Sequence, residues 1–567
     1  MRVCVIGAGV SGLPAIKECV AAGFDVVAYE RTSEIGGLWN YRPEMKEIST
    51  VMGSTVVNTS KEMMAYSDFP PPKESPNFMH HSFVQKYNLA YAEKFGLRKY
   101  IQFNTTVEKV EQCGDQWEIT LNGGEKKTFD YVLLCTGHHC IPLYPQVKDA
   151  DKYKGRTLHA HDYRDYHGFE NKNVFIIGIG NSALDIATEL AKISKSVTIS
   201  TRRGTWIWNR VSDGGMPYDI LFFTRLYYFA LRLVPWTLSN DYVEHRIQQR
   251  LDHDTYGLRP NHRFFQQHPA VNDSLPNLMC SGQIVVTEDV DSFYEDGIIV
   301  KGGRRFPADV VIYSTGYTFN FDFVYPKSAI PVKDNEVKLY KYVFPLDHPN
   351  LAVIGLIQPI GSIAPISEIQ SRWVASVFTG RCKLPSRKTM LDDIEEKRAQ
   401  MQRRYYKSVK HTVQVDYVLY MDEIAELIGC KPNLLKYLFT EPKFFFRLLV
   451  GANAPYVYRL CGPGKWEGAK EALESLPDRV KAPMKKRECR IRRYKKRGKL
   501  DEYFRYASMK WCVGWTFLLV IAGFWTFCSG PVGISPIAYF LYITTFMLLL
   551  AAMFIWFDYE FSMSTII

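Results

Sequence analysis

Two glycine-rich turns in this chain have the residue types that hold dinucleotides. The first is Gly7-Ala8-Gly9-Val10-Ser11-Gly12. Glycines at this spacing permit a tight turn, close approach of a pyrophosphate and close packing of the following helix. The free N–H groups at that helix start would meet the phosphates. Glu30 ends the next apolar strand. A carboxylate there accepts ribose hydroxyls and repels a 2′-phosphate, so this cradle suits FAD or NAD. The second turn is Gly178-Ile179-Gly180-Asn181-Ser182-Ala183, continuing into Leu184 and Asp185. Alanine replaces the third glycine, which the motif tolerates. No acid ends its second strand; Thr201-Arg202-Arg203 stands there instead. A guanidinium forks onto a 2′-phosphate. This cradle suits NADPH, with Arg202 the first choice for the phosphate and Arg203 the second.

The elements that must position these turns are legible as strand, turn, helix and strand. Arg2–Ile6 is an apolar strand, Leu13–Ala22 a helix and Asp25–Tyr29 the second strand. The pattern restarts with a strand over Asn173–Ile177, a helix over Leu184–Lys192 and a strand over Ser196–Ser200. Two further runs echo each other: Asp130–Gly137 (DYVLLCTG) and Asp309–Gly316 (DVVIYSTG). This order predicts an α/β chain with two Rossmann-like dinucleotide-binding domains, one inserted in the other. The expected boundaries are 1–150 plus 317–430 for the FAD domain and 151–316 for the NADPH domain. A helical, basic region is expected over 431–500.

Two nucleotide sites in one chain imply that one cofactor delivers hydride and the other receives it. Disulfide reductases and monooxygenases both fit that description. The reductases need a closely spaced redox-active cysteine pair. The 12 cysteines are scattered, with no CxxC and no zinc-like spacing, so the monooxygenase reading is favoured and no metal site is expected.

The chain has 567 residues, 47% hydrophobic and 23% charged, which is ordinary for a folded protein of two or more domains. Its N-terminus lacks a basic stretch followed by a cleavage site, so the body is expected not to be secreted. The net charge of +11 is uneven: Lys485–Lys499 holds ten basic residues and one acid. Nucleic acid or a membrane surface could meet such a run. The following segments decide for lipid. Trp511–Cys528 and Ile537–Phe557 carry no charged residue, and about 20 helical residues cross the roughly 30 Å hydrocarbon core. Both are expected as membrane helices, either spanning or in a shallow hairpin, with the basic run on the cytosolic face and no nucleic-acid partner.

A third motif separates families. Tyr153-Lys154-Gly155-Arg156-Thr157-Leu158-His159-Ala160-His161-Asp162-Tyr163 resembles the FxGxxxHxxxY signature of class B flavoprotein monooxygenases, with Tyr for the first Phe. Glu34–Trp39 (EIGGLW), Val57–Met63 (VNTSKEM), Tyr66–Pro70, Ser314–Tyr317, Gly355–Ser362 and Ile369–Trp373 resemble successive segments of the flavin-containing monooxygenase family. That resemblance implies FAD contacts at Gly37, Leu38, Trp39, Val57, Asn58 and Thr59. It implies a catalytic role for Asn58, hydrogen-bonded to the flavin adduct and the nicotinamide. It also implies a C4a-hydroperoxyflavin that oxygenates soft nucleophiles such as amines and sulfides with O2, on the endoplasmic reticulum membrane facing the cytosol. Baeyer–Villiger oxygenation of ketones and peroxide-producing NADPH oxidation are the alternatives. The signature ending in Tyr163 mildly favours heteroatom oxidation.

Overall fold

The computed structural model describes residues 1–212, 214–405 and 412–484. Met1–Val211 and Pro217–Pro483 make one compact unit that contains two separate five-stranded sheets.

The first sheet runs, edge to edge, through Leu351–Val353, Tyr131–Leu134, Arg2–Ile6, Asp25–Tyr29 and Ile101–Gln102, all parallel. The second runs through Ile284–Thr287, Ser196–Ser200, Asn173–Ile177, Val310–Tyr313 and Arg156–His159, also all parallel. The chain therefore leaves the first sheet after Leu134, builds the second, and returns at Leu351. In each sheet the strand that feeds the glycine turn lies between neighbours reached in opposite directions. That is the switch point where α/β sheets open a crevice at the carboxyl ends of their strands.

Both central strands are fully covered, which explains their unbroken apolar runs. Val3, Cys4 and Val5 are inaccessible, as is Ile176. The helices behind them, Gly12–Ala21 and Asn181–Leu190, bury Leu13 and Ile16 in one case and Leu184, Ile186 and Leu190 in the other. Each such side chain contributes about 1.5–3 kcal/mol. Both helices begin earlier than the apolar period suggests, at Gly12 and Asn181 instead of Leu13 and Leu184. The residues of the glycine turn already take helical geometry there.

The helix Ile363–Phe378 packs against Gly12–Ala21 and Tyr417–Ile428. Its polar residues are buried but partnered. Gln370 accepts Gly355 N–H at 2.9 Å and donates to Tyr420 at 2.7 Å, and Arg372 donates to the Tyr458 and Pro463 carbonyls. Beneath the first helix, the Arg459 guanidinium meets Glu18 at 2.9 Å, Glu368 at 2.8 Å and Asp68 at 3.2 Å. Burial alone would raise Glu18, yet Arg459, Lys17 and Arg372 outweigh it and hold its carboxyl below the usual range. Glu18, Asp68 and Glu368 are the three-acid grouping with metal-like spacing found among the described residues, and Arg459 and Lys17 fill it.

Among the described residues, those from 380 to 481 are mainly helical, with one short strand at Gln414–Asp416. No helix among the described residues is long and apolar enough to cross a membrane. The basic run 485–499 and the segments 511–528 and 537–557 lie outside the described residues.

Candidate functional site

The two glycine turns are built alike, from the same backbone logic. Gly7 has φ +103° and Gly178 φ +108°, a region that L side chains rarely adopt. Gly7 donates its N–H to Tyr29 O at 2.8 Å, and Gly178 donates to Ser200 O at 3.0 Å. A Cβ on Gly7 would stand 2.6 Å from Cys135 O; on Gly178 it would stand 2.5 Å from Ser314 O. Cys135 and Ser314 each begin a Thr-Gly run, so those echoing segments form one wall of each cradle. The helix start closes tightly at the first site, where a Cβ on Gly12 would lie 1.9 Å from Gly7 O. Ala183 takes that position at the second site and is fully buried.

Glu30 is 5% exposed and points back at the first turn. Its two oxygens are divided: one accepts Ala8 N–H at 2.9 Å. The other accepts the Thr32 N–H at 2.9 Å and the Thr32 hydroxyl at 2.8 Å. The Gly37–Trp39 turn lies against the glycine loop. Gly36 N–H donates to Ala8 O at 3.0 Å, and a Cβ on Gly37 would stand 3.1 Å from Gly9 Cα. Tyr66 donates to Val10 O at 2.9 Å, and Ser11 shares a 2.9 Å hydrogen bond with Ser367. Leu38 O accepts Val51 N–H at 3.0 Å. Trp39 and Val57 pack on the same cluster of Met64, Met79 and Val84. The fold thus gathers Gly7–Gly12, Glu30, Gly37–Trp39 and the Val57–Thr59 turn into one cradle.

Asn58 projects from that turn with its Oδ1 buried and without a partner among the described residues. Buried polar atoms are nearly always satisfied, so an orphaned amide oxygen beside a dinucleotide cradle fits a hydrogen-bonding ligand.

At the second site, Asn181 Oδ1 accepts Val271 N–H at 2.7 Å. Ser182, Arg202 and Arg203 are exposed, and a Cβ on Gly180 would meet open space. Leu184 is buried in the core. Burial pushes the Asp185 carboxyl up to about 6, against the pull of Arg210 and the Asn272 amide. The donor set fits a phosphorylated dinucleotide: exposed guanidinium groups follow the second strand, and open space faces the glycine turn.

The signature motif joins the two sites. Tyr153 donates to Ala308 O at 2.9 Å, and a Cβ on Gly155 would collide with the Tyr153 ring. His159 is inaccessible, accepts His161 N–H at 3.0 Å through Nδ1, and lies between the rings of Tyr144 and Tyr317. Tyr163 donates to Glu189 at 2.7 Å on the second helix. Arg164 reaches the other way, donating to Met45 O at 2.9 Å, while its carbonyl accepts Gly53 N–H at 2.7 Å. Tyr163 and the Arg164 that follows the motif link the second helix to the segment leading into Asn58.

Sequence reading missed Asp219, whose carboxylate accepts Ser60 N–H at 2.6 Å. It also missed Arg459 in the ion network. Neither sits in a recognisable motif, and their partners are hundreds of residues away or nearly so.

The chain matches the family described as flavin-binding monooxygenase-like over residues 1–509. It is 45% identical over 500 residues to flavin-containing monooxygenase 5 of Homo sapiens, covering 85% of this chain and 93% of that protein. It is 42% identical over 500 residues to dimethylaniline monooxygenase (N-oxide-forming) 2 of Macaca mulatta, with coverages of 86% and 93%. Among solved structures it resembles S-allyl-L-cysteine S-oxygenase from Allium sativum, with a TM-score of 0.58 and 24% identity over 85% of this chain and 98% of that one. It also resembles cyclohexanone monooxygenase from Rhodococcus sp. Phi1 bound to NADP+, with a TM-score of 0.59 and 15% identity over 76% and 97%. These structural likenesses show a shared α/β fold. The chain therefore belongs to the flavin-containing monooxygenase family, as a flavoprotein monooxygenase whose cofactors are FAD and NADPH.

Proposed function

We propose that the protein uses NADPH and O2 to oxygenate small molecules with a soft nucleophilic nitrogen or sulfur. The observation that carries this reading is the orphaned Asn58 Oδ1 at the rim of the first cradle, on a segment tied to the second through Arg164. FAD is assigned to Gly7–Gly12, Glu30, Gly37–Trp39 and Val57–Thr59. NADPH is assigned to Gly178–Asp185, with Arg202 and then Arg203 on its 2′-phosphate. When bound, the flavin supplies the oxygen activation, by the hydroperoxide route that the family resemblance implies. The chain's own part is to orient and to exclude water. Asn58 offers an amide that donates and accepts without titrating. Ser60, Lys61 and Glu62 behind it are inaccessible to solvent, which keeps that side of the turn dry.

Two finer assignments belong to the same reading. The domains divide as 1–150 plus 317–430 around FAD, 151–316 around NADPH, and 431–500 as the helical basic region. The segments 511–528 and 537–557 hold the protein on the endoplasmic reticulum membrane, its body in the cytosol and the run 485–499 against anionic lipid.

The test is a panel of amines, thioethers and ketones on the detergent-solubilised protein, with NADPH, product and peroxide measured together. The proposal expects N- or S-oxides. Lactone or ester products alone would establish the Baeyer–Villiger reading, and peroxide alone the oxidase reading. Asn58→Ala should retain FAD while product falls and peroxide rises; unchanged coupling would remove Asn58 from its role.

A further inference from the structure

The segment Pro217–Tyr228 carries no readable motif, yet the structure places it against the turn that presents Asn58. Its short helix, Tyr218–Phe222, follows the strand Ile207–Trp208 in the inserted region but reaches the segment that carries Asn58. Asp219 Oδ2 accepts Ser60 N–H at 2.6 Å across 159 positions of sequence. The other oxygen, Oδ1, is buried without a partner among the described residues. Burial pushes the carboxyl up to about 6, with hydrogen bonds from Ser60 and from its own helix start opposing that rise.

The helix is braced from behind. Tyr218 packs its ring 4.8 Å from Trp208. Phe223 O accepts Asn453 N–H at 2.7 Å, and the Phe223 ring stacks on Tyr417 at 6.0 Å. Arg225 clamps Asp422 with both guanidinium nitrogens, one at 2.7 Å. The Asn58 turn is consequently held at both ends. Val57 N–H is fixed on Met79 O at 3.0 Å, within the first cradle. Ser60 N–H is fixed on Asp219, from the inserted segment. Burying a carboxylate is costly, and this one is held by hydrogen bonds from Ser60 and from its own helix start. A geometric task at the neighbouring residue gives it a reason.

We propose that Asp219 is a positioning residue that sets the Asn58 amide through Ser60, so that the inserted segment controls how much NADPH is turned into product and how much into peroxide. This inference rests on the role given to Asn58 above. The acting feature is the acceptor oxygen on Ser60 N–H, so the amide of asparagine should serve nearly as well as the carboxylate.

The experiment uses the full-length holoprotein and compares Asp219→Ala, Asp219→Asn and Asn58→Ala. Asp219→Ala should keep its flavin and raise the ratio of peroxide to product roughly tenfold, the scale of one lost hydrogen bond to a charged group. Asp219→Asn should stay within about twofold of the native ratio. A purely structural role would lower both products together and would not distinguish the two variants. Amide exchange on the native protein tests the clamp without any variant: Ser60 N–H should be protected and Thr59 N–H less so. Asn58→Ala uncoupled beside a fully coupled Asp219→Ala overturns this inference alone, as does an unprotected Ser60 amide. Asp219→Asn as uncoupled as alanine also overturns it, because the charge would then be the acting feature. Asn58→Ala fully coupled overturns the functional reading, and this inference falls with it.

Discussion

Replacing Glu30 by Gln tests the first cradle at the atom that shapes it. The substitution preserves volume, so packing terms cancel, while the hydrogen bonding changes and the charge that faces Arg42 is lost. In the native protein each carboxylate oxygen serves a different backbone amide, Ala8 N–H on one side and Thr32 N–H on the other, both at 2.9 Å. Glutamine has a single acceptor oxygen and a donor NH2. Whichever way the amide turns, one backbone N–H faces another donor and is orphaned. A buried unsatisfied N–H costs about 1–3 kcal/mol. The glycine loop shares that cost with the nucleotide it cradles, so FAD should bind about 5- to 150-fold more weakly. Titrating apoprotein with FAD by flavin fluorescence measures the change, and NADPH affinity at the second cradle is the internal control. The reasoning fails if Glu30→Gln binds FAD as tightly as the native protein, or if both cofactors weaken equally.

Three further outcomes follow from the same geometry. Gly178→Ala puts a Cβ 2.5 Å from Ser314 O at a φ of +108°, so KM for NADPH should rise more than tenfold with FAD content unchanged; steady-state kinetics and the flavin-to-protein ratio check this. Arg202→Ala should weaken NADPH by about 1.5–3 kcal/mol, roughly 10- to 150-fold, and leave NADH unaffected; equal loss for both nucleotides would remove Arg202 from the 2′-phosphate. Asp185 is raised from 3.8 to about 6 by burial, so between those values the folded chain holds a proton that the unfolded chain has released. Its contribution is therefore favourable at low pH and is lost as pH rises through that window, by about 3 kcal/mol at most. Asp185→Asn should raise the thermal midpoint at pH 7 more than at pH 4.5, and the opposite order would refute the burial argument.

Much of this site is legible in the sequence because its chemistry is local. The strands Arg2–Ile6, Asp25–Tyr29, Asn173–Ile177 and Ser196–Ser200 fall where the apolar runs place them. Glycine follows the two strands that feed the turns, at Gly7 and Gly178, and a fully buried parallel strand has no solvent face to interrupt it. Glu30 and the arginines at 202 and 203 stand at strand ends, a position that follows from counting. Helix starts were less legible, since Asn181 and Ser182 belong to a turn motif and to a helix at once. Asp219 was not legible at all. It sits in an aromatic run without period, and its partner Ser60 is distant in sequence. Arg459 is similar: its partner Glu18 is 441 residues away, and nothing near either residue announces the pair. His159 shows the converse. The motif containing it was visible, but only the structure reveals its imidazole as a buried acceptor for the His161 amide.

Anaerobic mixing of the purified protein with NADPH, and separately with NADH, tests the two-cradle account most directly. The visible flavin band should be present at the start, bleach with NADPH at least tenfold faster than with NADH, and return when air is admitted. A colourless preparation, a band that NADPH leaves unreduced, or equal rates with the two nucleotides would contradict it.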